Sequence, residues 1–123
     1  MSKFTFPSIK ETNDLSSLRL EVRGFISECI NNNEFVPAAD SWVFAADPAF
    51  SRKLGSRGWL GMSFPDQYGG NDRTALERDV VHDELVASGA PCAAPWIATW
   101  QRGSPMCRYG RGDTRRIRSL TRP

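Results

Sequence analysis

The single histidine, His82, and three cysteines, Cys29, Cys92 and Cys107, are the first residues to test for acid–base, metal or thiol chemistry in this 123-residue chain. Their arrangement argues against a metal centre. Zinc and its relatives need three or four converging His, Cys or carboxylate ligands, and one histidine without a CxxC pair starts no such set. No metal is expected. Three scattered cysteines, with no apolar export run in the N-terminal MSKFTFPSIKETND, read as reduced thiols of a cytoplasmic protein. His82, beside Val81 in a helix-like stretch, reads as a helix-surface histidine rather than a base or ligand.

A glycine-rich stretch is the next candidate, because bare backbone amides can cradle a phosphate. RGWLGMSFPDQYGG, residues 57–70, holds four glycines. It contains neither G-x-G-x-x-G nor G-K-[ST], the patterns that aim amides and a lysine at phosphate. It carries large apolar groups instead, with Pro65 to fix a turn. The stretch therefore reads as architecture. Its glycines allow sharp turns and close backbone approach, and Trp59, Leu60 and Phe64 are expected to join Leu85 in a core.

Helices must position these groups. LSSLRLEVRGFISECINN, residues 15–32, sets Leu15, Leu18, Val22, Phe25, Ile26, Cys29 and Ile30 on one stripe, with Asp14 as the expected N-cap. DPAFSRKLGSRG offers Asp47 as a cap, Pro48 in the first turn, and Gly55 or Gly58 as the left-handed exit. In TALERDVVHDELVASG, Thr74 and Glu77 form a T-x-x-E capping box and Gly89 ends the helix. Leu76, Val80 and Ala87 line one side of it, Val81 and Leu85 another, which suggests a sandwiched helix. PWIATWQ reads as a short helix with Trp96 and Trp100 one turn apart. Ser104 and Pro105 begin another that Gly110 stops. No segment alternates as a strand does. The fold class is all-α, a helical bundle.

The chain is long enough for one domain, and its 40% hydrophobic and 24% charged residues are ordinary for a soluble protein. No apolar run approaches the roughly 20 residues that span a bilayer, so no membrane partner is expected.

Three stretches taken together resemble the N-terminal helical domain of the acyl-CoA dehydrogenase family. They are FSRKLGSRGWLGMSFPDQYGG at 50–70, LERDVVHDELVASGAP at 76–91 and GSPMCRYG at 103–110. The family pattern runs a short helix into G-W-x-G, then P-x-x-Y-G-G, then a helix with E-x-x-V-x-x-E-L, then a Y-G-like segment. The likeness covers about 15–110. It implies FAD-dependent α,β-dehydrogenation of an acyl-CoA thioester, in which a carboxylate takes the α-proton and the flavin takes the β-hydride. The resemblance places the flavin domain and the catalytic glutamate after this segment. No catalytic residue is therefore assigned here, and FAD, the family cofactor, is not expected to bind this chain alone. Glu77, Asp83 and Glu84 read as capping and helix-face charges. By position, the resemblance puts Ala93, Ala94, Ile97 and Ala98 near the substrate; small residues there also suit helix packing.

Beyond the Y-G segment the likeness fades. Arg118 and Ser119 stand where the family has apolar residues. Residues 1–101 hold nine Lys/Arg against thirteen Asp/Glu, whereas 102–123 hold seven arginines against Asp113 alone. Residues 1–110 are read as the helical domain and 111–123 as a basic, poorly packed tail, the mark of a frameshift or a truncation. Arg111-Gly112-Asp113 matches an integrin-recognition tripeptide by coincidence. The leading expectation is a dehydrogenase helical domain, inactive alone, with acyl-CoA as the substrate the resemblance implies and a homo- or hetero-oligomer with a fuller dehydrogenase chain as the expected association. The alternatives are a helical binding module whose arginines hold nucleic acid or acidic partners, and an assembly subunit. Arginines on phosphates give steep salt dependence, but no groove-reading motif accompanies them.

Overall fold

The computed structural model describes residues 10–110. The basic tail read over 111–123 lies outside the described residues, as do the side chains of Trp100, Arg102 and Ser104. In chain order the helices are α1 (Asn13–Asn31), α2 (Ser41–Phe44), α3 (Pro48–Ser56), α4 (Ala75–Ala87), α5 (Ala93–Trp96) and α6 (Gly103–Tyr109). A 3-10 turn spans Asp66–Tyr68, and a π turn over Ile97–Arg102 joins α5 to α6. Among the described residues the one β feature is an isolated antiparallel bridge between Ala46 and Cys92. The fold is all-α, as the periodicity indicates.

Helix α1 packs on α4 through the stripe read from the sequence. Leu18, Val22, Phe25, Ile26 and Cys29 are buried, while Leu15 and Ile30 are partly buried at the two ends. Each such large apolar side chain contributes about 1.5–3 kcal/mol when buried. The N-cap is Thr12 rather than Asp14, its hydroxyl accepting from Leu15 N at 3.4 Å. The helix begins at Asn13, two residues before the apolar stripe, which carries no information about polar first-turn positions. Asp47 caps α3 by accepting from Ala49 N and Phe50 N at 2.8 and 3.0 Å. Gly58, with φ +75°, supplies the exit from α3. Thr74 and Glu77 form the full capping box on α4.

On α4, Val80, Val81 and Leu85 are buried, but Leu76 and Ala87 are exposed. The sandwich is therefore narrower than the sequence suggests. His82 and Glu84 take the vacated burial, at 8% and 9% exposure. Glu84 accepts from Arg19 Nη1 at 2.7 Å and Arg23 Nε at 2.8 Å, tying α4 to α1 across the edge of the apolar seam. Both arginines hold its carboxyl below the usual carboxylate range.

Residues 57–73 form the connection that sets the rest. Trp59 meets Phe25 edge to face at 5.2 Å, and Phe25 and Phe50 rings lie 5.9 Å apart. Arg57 lies over Phe25 and Trp59, 5.1 and 5.7 Å from the ring centres. Phe64 is buried at 5% exposure, where three glycines make room for it. A Cβ on Gly61, which has φ +62°, would stand 2.8 Å from the Phe64 ring. One on Gly70 would overlap the Phe64 carbonyl, and one on Gly103 would overlap the ring tip. Phe64 thus pins the loop to the junction of the π turn and α6.

That insertion alters the last helices. The structure has no fresh cap at Ser104, because α6 follows the π turn without a break. A proline opens a regular α ladder by removing a donor, and Pro105 stands within one turn of the π turn, where the Phe64 ring packs against Gly103. At the far end of α4, Gly89 turns the chain with φ +67°, and its carbonyl accepts from Ala38 N at 3.2 Å.

Two glycine substitutions separate space from helix propensity. Gly103→Ala is expected to cost about 1–3 kcal/mol or more by overpacking against Phe64. Gly24→Ala, on exposed α1 with open space around it, is expected to stabilise by about 0.5–1 kcal/mol. Urea unfolding of the two variants checks this, and equal effects would contradict the packing described for Phe64.

Candidate functional site

The residues assigned by resemblance to the substrate wall lie on α5 and the π turn. Pro91 and buried Cys92 lead into α5, and Ala93 N donates to Ala45 O at 3.1 Å, fastening the start of α5 to the end of α2. Ala93 is buried at 6% exposure, so its methyl packs inward. Ala94 is exposed, Ile97 is 44% exposed and Ala98 is half-buried. These three, spaced by three and four residues, form a small-residue strip behind which Ala93 packs. On the same turn Thr99 is buried, and its Oγ1 has no hydrogen-bond partner. A π turn and an orphaned buried hydroxyl are both features that gather at functional sites. Sequence reasoning missed both, since neither leaves a periodicity signal.

A second concavity lies between α2, α4 and α5. It measures about 770 Å³ and is lined by Trp42, His82, Val86 and Trp96, with Asp79 and Asp83 at its edge. Trp42 and Trp96 meet edge to face at 5.5 Å, and the His82 ring lies 5.7 Å from Trp96. The sequence reading of His82 as a surface histidine is corrected here. Burial pushes its pKa down to about 4, with the Arg78 charge adding to the effect, so the imidazole is neutral. Helix α2 was not read from the sequence at all. Four residues give no periodicity, and Trp42 is recognisable as a wall only once α5 is beside it.

Two of the thiols, Cys29 and Cys92, are buried and not poised for chemistry. Burial pushes Cys29 up to about 11, and it raises Cys92 as well; reactive cysteines need the opposite shift. Among the described residues no group of three or more His, Cys, Asp or Glu is placed to hold a metal ion. Glu77 is held below its usual range by the Thr74 backbone and by Arg73, consistent with a cap rather than a base. No helix of the described residues is long and apolar enough to cross a membrane.

The helix order and the Gly-Trp-Leu-Gly turn agree with an independent comparison. The family model described as "Acyl-CoA dehydrogenase, N-terminal domain" matches residues 12–117. The chain belongs to this family. A curated relative, acyl-CoA dehydrogenase FadE26 of Mycobacterium tuberculosis (strain ATCC 25618 / H37Rv), is 30% identical over 65 residues, covering 53% of this chain and 16% of its own length. A solved structure, the Tcur3481-Tcur3483 steroid ACAD, is 27% identical with a TM-score of 0.68, covering 89% of this chain and 28% of its own. A variant of the same protein gives 28% identity and a TM-score of 0.64, covering 85% and 27%. The chain thus spans about a sixth of the curated dehydrogenase and just over a quarter of the solved one.

The family implies FAD in the full enzyme. In this chain the glycine-rich loop at 57–70 is filled by Phe64, which Gly61 and Gly70 accommodate, so the loop leaves no open backbone cradle for a pyrophosphate.

The two acid-sensitive groups in this region give a pH signature. The folded state depresses His82 from 6.5 to about 4. Its contribution is therefore complete above about pH 6.5 and is lost as pH falls toward 4. Glu84, held below 4.5, adds a further loss at lower pH. An NMR titration should place the His82 midpoint near 4, and His82→Leu should flatten the pH dependence of stability between 4 and 6.5. A midpoint at 6.5 would contradict the burial.

Proposed function

We propose that this chain supplies the N-terminal helical wall of an FAD-dependent acyl-CoA dehydrogenase, with Ala94, Ile97 and Ala98 beside the acyl group. The observation that carries this reading is the family match over 12–117, which includes the small-residue strip on α5 and the π turn. Ala93 serves as its backing, since it faces the core. What these residues do is bind and exclude water: small methyls leave room for the acyl body, and Ile97 offers an apolar flank. The proton-abstracting carboxylate and the flavin that accepts the hydride come, in this reading, from the rest of the dehydrogenase fold. A base must lie within hydrogen-bond reach of the proton it takes, with the hydride acceptor on the opposite side of the substrate. A single helical wall does not supply both. The chain by itself is accordingly inactive and works docked to a fuller dehydrogenase chain, in the cytoplasm. The exposed apolar residues Val36, Val43 and Phe44, at 84%, 42% and 83% exposure, suit such a contact.

A ring-bearing acyl group is the substrate class we favour over a straight chain. Support comes from the solved relatives, named as steroid ACADs, and from the small side chains at 94 and 98.

The purified chain is expected to hold no stoichiometric flavin and to turn over no acyl-CoA with an artificial electron acceptor. NMR mapping with a steroid-acid CoA thioester is expected to shift Ala94, Ile97 and Ala98, more than a palmitoyl thioester does. Turnover by the chain alone would overturn the division of labour. Shifts confined to other helices would overturn the wall assignment.

A further inference from the structure

The turn that carries Ile97 and Ala98 holds one residue more than an α-helix needs. Gly103 N–H donates five residues back, to the Ala98 carbonyl, whereas Ile97 N–H at the head of the turn donates four and three back, to Ala93 and Ala94. The two ends are fastened separately. At the start, Ala93 N–H donates to Ala45 O at 3.1 Å, and the Trp42 and Trp96 rings meet 5.5 Å apart. At the end, Gly103 lies so close to Phe64 that a Cβ there would overlap the ring tip. Any other residue brought to that place would collide, so the register of α6 is fixed by the one glycine that fits. Pro105 favours the same arrangement, since its ring would strike the Gln101 carbonyl of a regular α-helix. One group opposes it. Thr99 is 2% exposed and its Oγ1 has no hydrogen-bond partner. In an α-helix a threonine hydroxyl reaches the carbonyl three or four residues back, which for Thr99 is that of Trp96 or Pro95. A buried hydroxyl without a partner is costly, so closing the extra residue would gain the bond that the π turn forgoes.

We propose that Ile97–Arg102 is a two-register latch, held as a π turn by its fastened ends and drawn toward α-helix by Thr99. None of the residues that hold it belongs to the apolar cluster of the α1–α4 seam, so the register changes without unpacking that core. The change turns Ile97 and Ala98 by roughly 100° about the helix axis relative to α6, the angle of one α-helical residue. Single π turns inside α-helices recur at functional sites. The use of the latch rests on the wall reading given above. An acyl group on the wall meets different side chains in the two registers, and that difference in contact is what allows a ligand to select one of them. The latch itself belongs to the chain alone and is present without any ligand.

NMR couplings across hydrogen bonds read the register in the full chain. In wild type the Gly103 amide is expected to couple to the Ala98 carbonyl. Pro105→Ala, at an exposed position, is expected to move that coupling toward the Thr99 carbonyl. Trp42→Ala, which frees the other end, should act in the same direction. Adding Thr99→Val to either variant should return the population toward the π turn by roughly fivefold, the scale of one net hydrogen bond. A threonine that only filled space would leave the population unmoved. Coupling to Thr99 in wild type, or to Ala98 in both released variants, overturns the latch. If neither released variant folds, relaxation dispersion of wild type and Thr99→Val decides. Exchange confined to residues 97–103 that falls about fivefold in the valine variant supports the latch, and flat profiles overturn it. Thioester-induced shifts at Ala94, Ile97 and Ala98 with the register unmoved in every variant would keep the wall and reject the latch alone.

Discussion

Phe64 sits where three backbone positions have given up their side chains. Gly61 and Gly70 come from its own loop, and Gly103 comes from the last helix, so the contact closes a circuit between the middle of the chain and its C-terminal third. Among the described residues, the start of α6 packs against this pin through Gly103. It fixes how the loop lies under the helices, and it stands beside the π turn in a rod that would otherwise be a regular α-helix. The proposed substrate strip is therefore positioned by a contact whose residues touch no substrate. Interiors are close-packed and do not deform continuously, so a change at any of the three glycines is transmitted to the strip.

The other fixed unit is the α1–α4 seam. Its centre is apolar, from Leu18 and Val22 on α1 to Val81 and Leu85 on α4. Its edge is ionic, with Glu84 taking hydrogen bonds from Arg19 and Arg23. The aromatic set Phe25, Phe50 and Trp59 extends the seam to α3, with Phe35 and Phe50 rings 5.1 Å apart closing the far side. The two units have different chemistry. Phe64 is not part of the seam's apolar cluster, whereas α5 is held by the Ala45–Ala93 hydrogen bond, the Ala46–Cys92 bridge and the contacts of Trp96 with Trp42 and His82.

This division suits a domain that forms one wall of a larger site. A wall needs rigidity and a defined surface, and neither requires perturbed acids or reactive thiols. The titratable groups shifted here are shifted by burial, capping or ion pairs: burial pushes Cys29 and Cys92 up and His82 down, the Thr74 cap holds Glu77 low, and Arg23 and Arg19 hold Glu84 low. None of these shifts prepares a group to exchange protons with a substrate near neutral pH. The chain's membership of the acyl-CoA dehydrogenase family and the absence of a poised base on these helices are thus compatible.

Local rules decided much of this protein. The stripe on α1, the Asp47 and Thr74 caps, and the exits at Gly58 and Gly89 all follow from side chains a few residues apart, which is the range over which capping and periodicity act; the burial of Trp59, Leu60 and Phe64 was legible from their size and apolarity in a glycine-rich loop. The three clustered motifs pointed to the family for the same reason: each is a local turn or helix with its own geometry. Tertiary structure decided the rest. His82 and Glu84 are polar residues that periodicity places outside, and only the neighbours on α1 and α5 make their burial tolerable. Ser104 and Pro105 read as a helix start, yet α6 begins at Gly103 directly from the π turn, with the ring of Phe64, nearly forty residues earlier, packed against Gly103. The groove of Trp42 and Trp96 joins residues more than fifty apart. Such sites arise from contacts between elements, and no window of adjacent residues contains the information to place them.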